Sequence, residues 1–237
     1  MGLPQKPLKT IFPIVSLWKK PKRGYLFLGT GFFISNDGTF LTAKHVFENP
    51  DIDDMSTYNA VMLHDNPTVH KISAVEFSQH FDIALGHVEE VVQDIQPLKL
   101  ATENAPMNYD ILTVEFSGTM SKQLENGSSA LHFTPYFRKG YVICYYESDF
   151  PEHVLTQSLD ISFPALMGAS GAPVVVERTG SVIGMIVANV ERHLLPAQVI
   201  RVQHDQTPEE IRHFLPIGKA IGWKHLVEFV DSVRQTE

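Results

Sequence analysis

The sequence predicts an all-β protein, a barrel or a sandwich, finished by a C-terminal helix. Three observations carry this. Short runs rich in β-branched and aromatic residues recur along the 237 residues, turn signals separate them, and a helical period appears mainly near the end. The length suffices to bury a sizeable core and fits a single compact unit built from two halves.

In chain order the runs are Ile11 to Leu17, Tyr25 to Ile34, Val69 to Phe77, Ile111 to Phe116, Gly140 to Tyr146, Val174 to Glu177 and Val182 to Asn189. A shorter apparent strand, Thr39 to Ala43, follows the sharpest hairpin turn, Asn36-Asp37-Gly38, and Glu177-Arg178-Thr179-Gly180 is another turn. The polar stretch from Ala101 to Asn108, with Pro106 inside it, is the expected crossing between the halves. Thr207-Pro208-Glu209-Glu210 reads as cap, first-turn proline and capping-box glutamate, which predicts a short helix there. From Ile221 to Val233, apolar Ile221, Leu226, Val227, Phe229, Val230 and Val233 alternate with polar residues at an approximate helical period. This predicts a C-terminal helix packed on the barrel.

Composition narrows the function classes. A net charge of -8 argues against nucleic acid as partner, since phosphate binding calls for clustered Lys and Arg. The one basic cluster, Lys19-Lys20-Pro21-Lys22-Arg23, reads as a solvated turn. No segment approaches the roughly 20 apolar residues of a membrane span, so no membrane is expected. Met1-Gly2-Leu3-Pro4 opens no apolar run suited to a secretory signal, and Cys144 is the only cysteine, so no intramolecular disulfide forms. The expected location is cytoplasmic, and Asn126-Gly127-Ser128 reads as an Asn-Gly turn rather than a glycosylation site. The 11 histidines include no His-Glu-x-x-His pattern, and His80 and His87 flank Asp82 without a ligand spacing. Gly29-Thr30-Gly31 lacks the third glycine of a dinucleotide fingerprint. No metal and no cofactor is expected.

The chemistry concentrates in Met167-Gly168-Ala169-Ser170-Gly171-Ala172-Pro173. Small residues around a serine permit a tight turn that exposes the hydroxyl and lets a substrate backbone approach. The same turn can aim the N–H groups of Gly168 and Ser170 into one pocket, an oxyanion hole for a tetrahedral intermediate. A serine hydroxyl is a poor nucleophile near neutral pH and needs a histidine to take its proton and a carboxylate to orient that histidine. Thr42-Ala43-Lys44-His45-Val46 places a histidine just beyond the Thr39 to Ala43 strand, and Phe81-Asp82-Ile83-Ala84-Leu85 places an aspartate at a strand start. His45 and Asp82 lie 37 residues apart and Asp82 and Ser170 lie 88 apart, which suits one half supplying His and Asp and the next supplying Ser.

Five ordered blocks resemble the chymotrypsin-like peptidases, particularly the bacterial HtrA-like enzymes and single-domain trypsin-like relatives without a PDZ domain. Gly29-Thr30-Gly31-Phe32-Phe33-Ile34-Ser35 resembles their Gly-Ser-Gly-apolar strand, and Leu41-Thr42-Ala43-Lys44-His45-Val46 their Leu-Thr-x-x-His block. Phe81 to Leu85 resembles Asp-Ile-Ala-Leu, Gly168 to Pro173 resembles Gly-x-Ser-Gly-x-Pro, and Val182 to Ile186 resembles the Val-Ile-Gly strand that follows. The resemblance implies two six-stranded antiparallel β-barrels in one peptidase unit. Residues 8–104 would carry His45 and Asp82, residues 105–220 would carry Ser170, and 221–235 would form the helix. It implies Ser170 as nucleophile, His45 as general base and then acid, and Asp82 as the residue that holds the imidazole. Val187, Ala188 and Asn189 align with the strand that pairs with the substrate backbone and walls the S1 pocket. Gly218 or His213 borders that pocket, depending on the alignment of the polar stretch from Glu191 to Phe214.

This chain departs from the pattern at three places. Ala169 stands where secreted trypsin-like enzymes carry an aspartate that captures a newly cut N-terminus, so activation through a cleaved apolar N-terminus is not expected. Ala172 replaces a glycine, and its Cβ crowds the turn if the backbone there needs a positive φ. Pro164, six before Ser170, replaces the acidic residue that recruits Lys or Arg, so a small or apolar side chain is expected before the scissile bond. The expected activity is serine endopeptidase acting on a protein or peptide substrate through an acyl-enzyme. The alternative is a catalytically silent or partner-activated peptide-binding module on the same fold, ordered by a partner or by a homo-oligomer.

Overall fold

The structure, a computed structural model, describes residues 7–18, 24–48, 57–63, 67–89, 95–124, 129–148, 156–193, 198–201, 208–211 and 214–235. The first six strands are β1 (Ile11–Trp18), β2 (Gly24–Phe33), β3 (Thr39–Thr42), β4 (Tyr58–Met62), β5 (Thr68–Phe77) and β6 (Ala84–Val88). They close into an antiparallel barrel in the order β1-β2-β3-β6-β5-β4. There follow β7 (Lys99–Leu100), β8 (Asp110–Glu115), β9 (Met120–Gln123), β10 (Ser129–His132), β11 (Tyr136–Ser148), β12 (Thr156–Ile161), β13 (Pro173–Val176) and β14 (Ser181–His193). Then come β15 (Gln198–Arg201), β16 (Pro208–Ile211), β17 (Phe214–Gly222) and the helix α1 (Trp223–Arg234). Strands β13-β8-β11-β12-β17-β14 form a second antiparallel barrel, closed by the β13–β14 pairing, and β7 adds to β14 in parallel.

Apolar runs drive both barrels: the strand period of two sends every second side chain inward, and in β4 and β13 the residues between are buried as well. Phe12, Phe33 and Phe40 meet inside the first barrel with ring centroids 4.6 to 6.4 Å apart, two of the three contacts edge-on. Ile111, Val142, Leu159, Ile161, Val174, Val176, Ile183 and Ile186 build the second core. The helix buries Leu226 and Val230 in the first cluster, so the last segment of the chain packs where the first barrel also contributes. The hairpin before β3 turns on Gly38 at φ +94°, with Asp37 Oδ1 accepting the Thr39 N–H at 2.9 Å.

One expectation is corrected. Residues Pro208–Ile211 are not the start of a helix; they form β16, paired antiparallel with β15. Pro216 ends any helix begun at Thr207 within about two turns, which is too short to be stable alone, and pairing with β15 satisfies the backbone instead. The Lys19 to Arg23 cluster, Asn126-Gly127-Ser128 and His213 lie outside the described residues. Among the described residues no helix is long and apolar enough to cross a membrane.

Candidate active site

His45 stands on a single 3-10 turn, Lys44–Phe47, that follows β3. Val46 and Phe47 are buried, which turns Lys44 and His45 outward. Asp82 lies in the loop between β5 and β6, two residues before the strand. That loop is tied by Ser78, whose Oγ accepts the N–H groups of His80 at 3.3 Å and Phe81 at 3.1 Å, while its own N–H donates to the Ile83 carbonyl at 3.0 Å. The carboxylate meets His45 twice: Oδ1 accepts the His45 backbone N–H at 3.0 Å, and Oδ2 lies 2.6 Å from Nδ1. With the carboxylate accepting at Nδ1, the proton sits there and Nε2 keeps its lone pair. The Asp82 hydrogen bond raises the His45 pKa above its ordinary value; burial opposes this, and the charges of Asp82 and Glu48 add to it.

Ser170 is delivered from the second barrel on a loop whose shape needs glycine twice. Gly168 and Gly171 adopt φ +94° and +86°, a region where a Cβ is strained. Space forbids one as well. A Cβ on Gly171 would run into the Thr30 carbonyl and the Thr42 hydroxyl, and one on Gly168 into the Phe27 ring. The loop is bonded to the first barrel: the Thr30 N–H donates to the Ser170 carbonyl at 2.9 Å and the Thr30 hydroxyl to the Gly168 carbonyl at 2.8 Å. The Thr42 hydroxyl in turn donates to the Thr30 carbonyl at 2.7 Å. Since Thr42 ends β3 just before the His45 turn, these bonds bring the serine loop and the His–Asp pair to one edge.

The N–H groups of Ala169, Gly171 and Ala172 donate to Leu166, Ile186 and Ala169 carbonyls. Among the described residues those of Gly168 and Ser170 have no partner, and Ser170 Oγ makes no hydrogen bond to His45. The methyl groups of Ala169 and Ala172 are buried in the second core, which accommodates both departures from the family pattern.

On β14 the register with β17 slips between Ile186 and Ala188, leaving Val187 as an extra, unpaired residue. Val187 and Ala188 line a cleft together with Phe81, Asp82, Ser158 and Lys219. Asn189 Oδ1 accepts the Ala165 N–H at 2.6 Å and its Nδ2 donates to the Ala165 carbonyl, so this side chain straps the segment leading to Ser170. Gly218 pairs opposite Asn189 and donates its N–H to the Phe163 carbonyl at 2.9 Å. Val187 and Ala188 therefore sit beside Asp82, whereas Asn189 and Gly218 hold the Phe163–Ala165 backbone. Thr30, Thr42 and Ser78 went unmarked in the sequence. The two threonines lie inside the glycine-flanked and histidine blocks, but a threonine in a strand reads as ordinary pattern until its hydroxyl is seen to be buried and bonded.

Residues 29–185, well over half the chain, match the family model for the trypsin-like peptidase domain. Comparison with curated protein sequences returns no match. The fold is similar to Rv3671c from M. tuberculosis H37Rv, a serine-to-alanine mutant in the inactive form, with TM-score 0.59 and 17% identity over 98% of this chain and 93% of that one. The active form of the Rv3671c protease gives TM-score 0.54 and 18% identity over 94% and 83% of the two chains. The HtrA-type protease AlgW with a decapeptide gives TM-score 0.63 and 13% identity over 96% of this chain and 65% of that chain. With its two closed six-stranded barrels and its match to the family model, the chain belongs to the trypsin-like peptidase family of serine proteases.

Proposed function

We propose that the chain is a serine endopeptidase in which Ser170, His45 and Asp82 form the triad. The observation that carries this reading is the Asp82 carboxylate gripping both the backbone N–H and Nδ1 of His45, with the serine loop bonded to the strand beside it. In the proposed cycle His45 Nε2 takes the proton of Ser170 as Oγ bonds to the peptide carbonyl carbon. The carbonyl oxygen becomes an oxyanion facing the N–H groups of Gly168 and Ser170. Collapse breaks the C–N bond, the amine leaves with the proton from His45, and an acyl-enzyme remains. Water then attacks the ester with His45 again as base, and the acid product leaves as Ser170 regains its proton. Each oxyanion donor is worth about 10²- to 10³-fold in rate. Val187, Ala188, Asn189 and Gly218 are the proposed substrate-side residues, and the substrate is a protein or peptide, the ligand class held by the AlgW structures.

A second reading, a module completed by a partner, is favoured by the missing Ser170–His45 hydrogen bond. A fluorescent fluorophosphonate distinguishes them. The expected result is an adduct on Ser170, located by mass spectrometry and lost in Ser170→Ala and His45→Ala. A wild type that stays unlabelled overturns the endopeptidase reading in favour of the partner-dependent one.

A further inference from the structure

Phe81, the residue immediately before Asp82, shares a ring stack with a residue from the far end of the chain. His225, in the first turn of α1, lies with its centroid 4.2 Å from that of Phe81 and its plane 34° away. It is buried, with 7% of its surface exposed. Both of its nitrogens are engaged. Nε2 accepts the Gln157 backbone N–H at 2.8 Å, which places the proton on Nδ1, 3.0 Å from Glu228 Oε2. The ring is thus fixed in its plane by β12 on one side and its own helix on the other, and its face is free to press on Phe81.

The Asp82 loop has need of such support. Within its own barrel the loop is held by Ser78. On the side of the second barrel, Phe81 and Asp82 border the open cleft that Val187, Ala188, Ser158 and Lys219 also line. Phe81 also packs on the first hydrophobic cluster and meets the His80 ring edge-on, and His225 is the ring that the C-terminal helix adds to these contacts.

We infer that His225 is a positioning residue, whose stack on Phe81 holds Asp82 where it can reach both the backbone and the ring of His45. The inference rests on the triad reading, and it adds to that reading a mechanical link from the C-terminal helix to the catalytic carboxylate. The link runs through ring packing, so a phenylalanine can replace the histidine in this role.

The test uses the full chain as His225→Phe, His225→Ala and Val230→Ala, with the His45 imidazole titration followed by NMR and the fluorophosphonate labelling rate measured alongside. The His45 signal is assigned by its loss in His45→Gln. In His225→Ala the His45 midpoint falls toward the ordinary histidine value, because the Asp82 hydrogen bond that raises it is loosened. Labelling slows by roughly tenfold to a hundredfold, the scale of a misplaced catalytic group. His225→Phe restores most of both, and Val230→Ala, which destabilises the same helix, moves neither. Should His225→Ala not fold, Phe81→Leu removes the stack from its other side and is read in the same way. An unmoved His45 midpoint in the stack-deleted variant, or an equal shift in Val230→Ala, overturns the inference. The midpoint is readable even if the wild type takes no label, so failure of the triad reading and failure of the positioning role are distinguishable.

Discussion

At the scale of single residues, the His45–Asp82 pair makes a pH profile predictable in sign. On the proposed reading the imidazole must be neutral to accept the Ser170 proton, and Asp82 raises its pKa above 6.5. Activity therefore rises with pH through a midpoint above 6.5, and a pH–rate profile of peptide hydrolysis checks it. In Asp82→Asn the charge and the charge-assisted hydrogen bond go, so the midpoint moves down, while the amide NH2 donates to Nδ1, favours the wrong tautomer and drops the rate by about 10⁴-fold. The linked stability effect has the same origin. A raised folded-state pKa stabilises the protein fully below the unfolded value, and that contribution is lost as pH rises through the folded value. On the proposed reading His45 is thus most firmly held in the pH range where it works least.

The element that decides the proposed site is the loop from Gly168 to Gly171, and its two positive-φ glycines tolerate little change. Gly171→Ala combines a positive φ with a Cβ directed at the Thr30 carbonyl and the Thr42 hydroxyl. The left-handed backbone alone costs about 1–2 kcal/mol, and the overlap adds to it. The expected outcome is a lower midpoint in thermal unfolding together with loss of fluorophosphonate labelling. In the sequence this loop stood out only together with the histidine and aspartate blocks that precede it, and strands such as β1, β2 and β13 stood out as runs rich in apolar residues. Other elements did not. Strand β12 reads Thr-Gln-Ser-Leu-Asp-Ile, and Thr156, Ser158 and Asp160 are buried although polar, on the face opposite the Leu159 and Ile161 that enter the second core. A buried polar row gives no hydrophobic period, so β12 is invisible until the neighbouring surfaces are known. The reverse error occurred at Pro208, where a sound local capping signal lost to strand pairing with β15.

For the whole molecule, the C-terminal helix joins the two barrels. Leu226 and Val230 are buried in the cluster shared with the first barrel, while His225 bonds to Gln157 of the second. Leu226→Ala removes a fully buried side chain and costs about 2–5 kcal/mol. Chemical denaturation followed by far-UV circular dichroism reads this as a lower midpoint at an unchanged slope.

The bonds from Thr30 to the Gly168 and Ser170 carbonyls also set an order in time. Synthesis runs from the N-terminus, so the strand bearing Thr30 and the His45–Asp82 pair are made before the serine they await. With the proposed roles, a nascent chain accordingly holds a base with no nucleophile. Even after Ser170 has been made, its loop lacks β14, which supplies the Ile186 carbonyl for the Gly171 N–H, until more of the chain has emerged. On the proposed reading, a growing or truncated chain is harmless to its surroundings, and hydrolytic competence arrives only when the second half closes against the first.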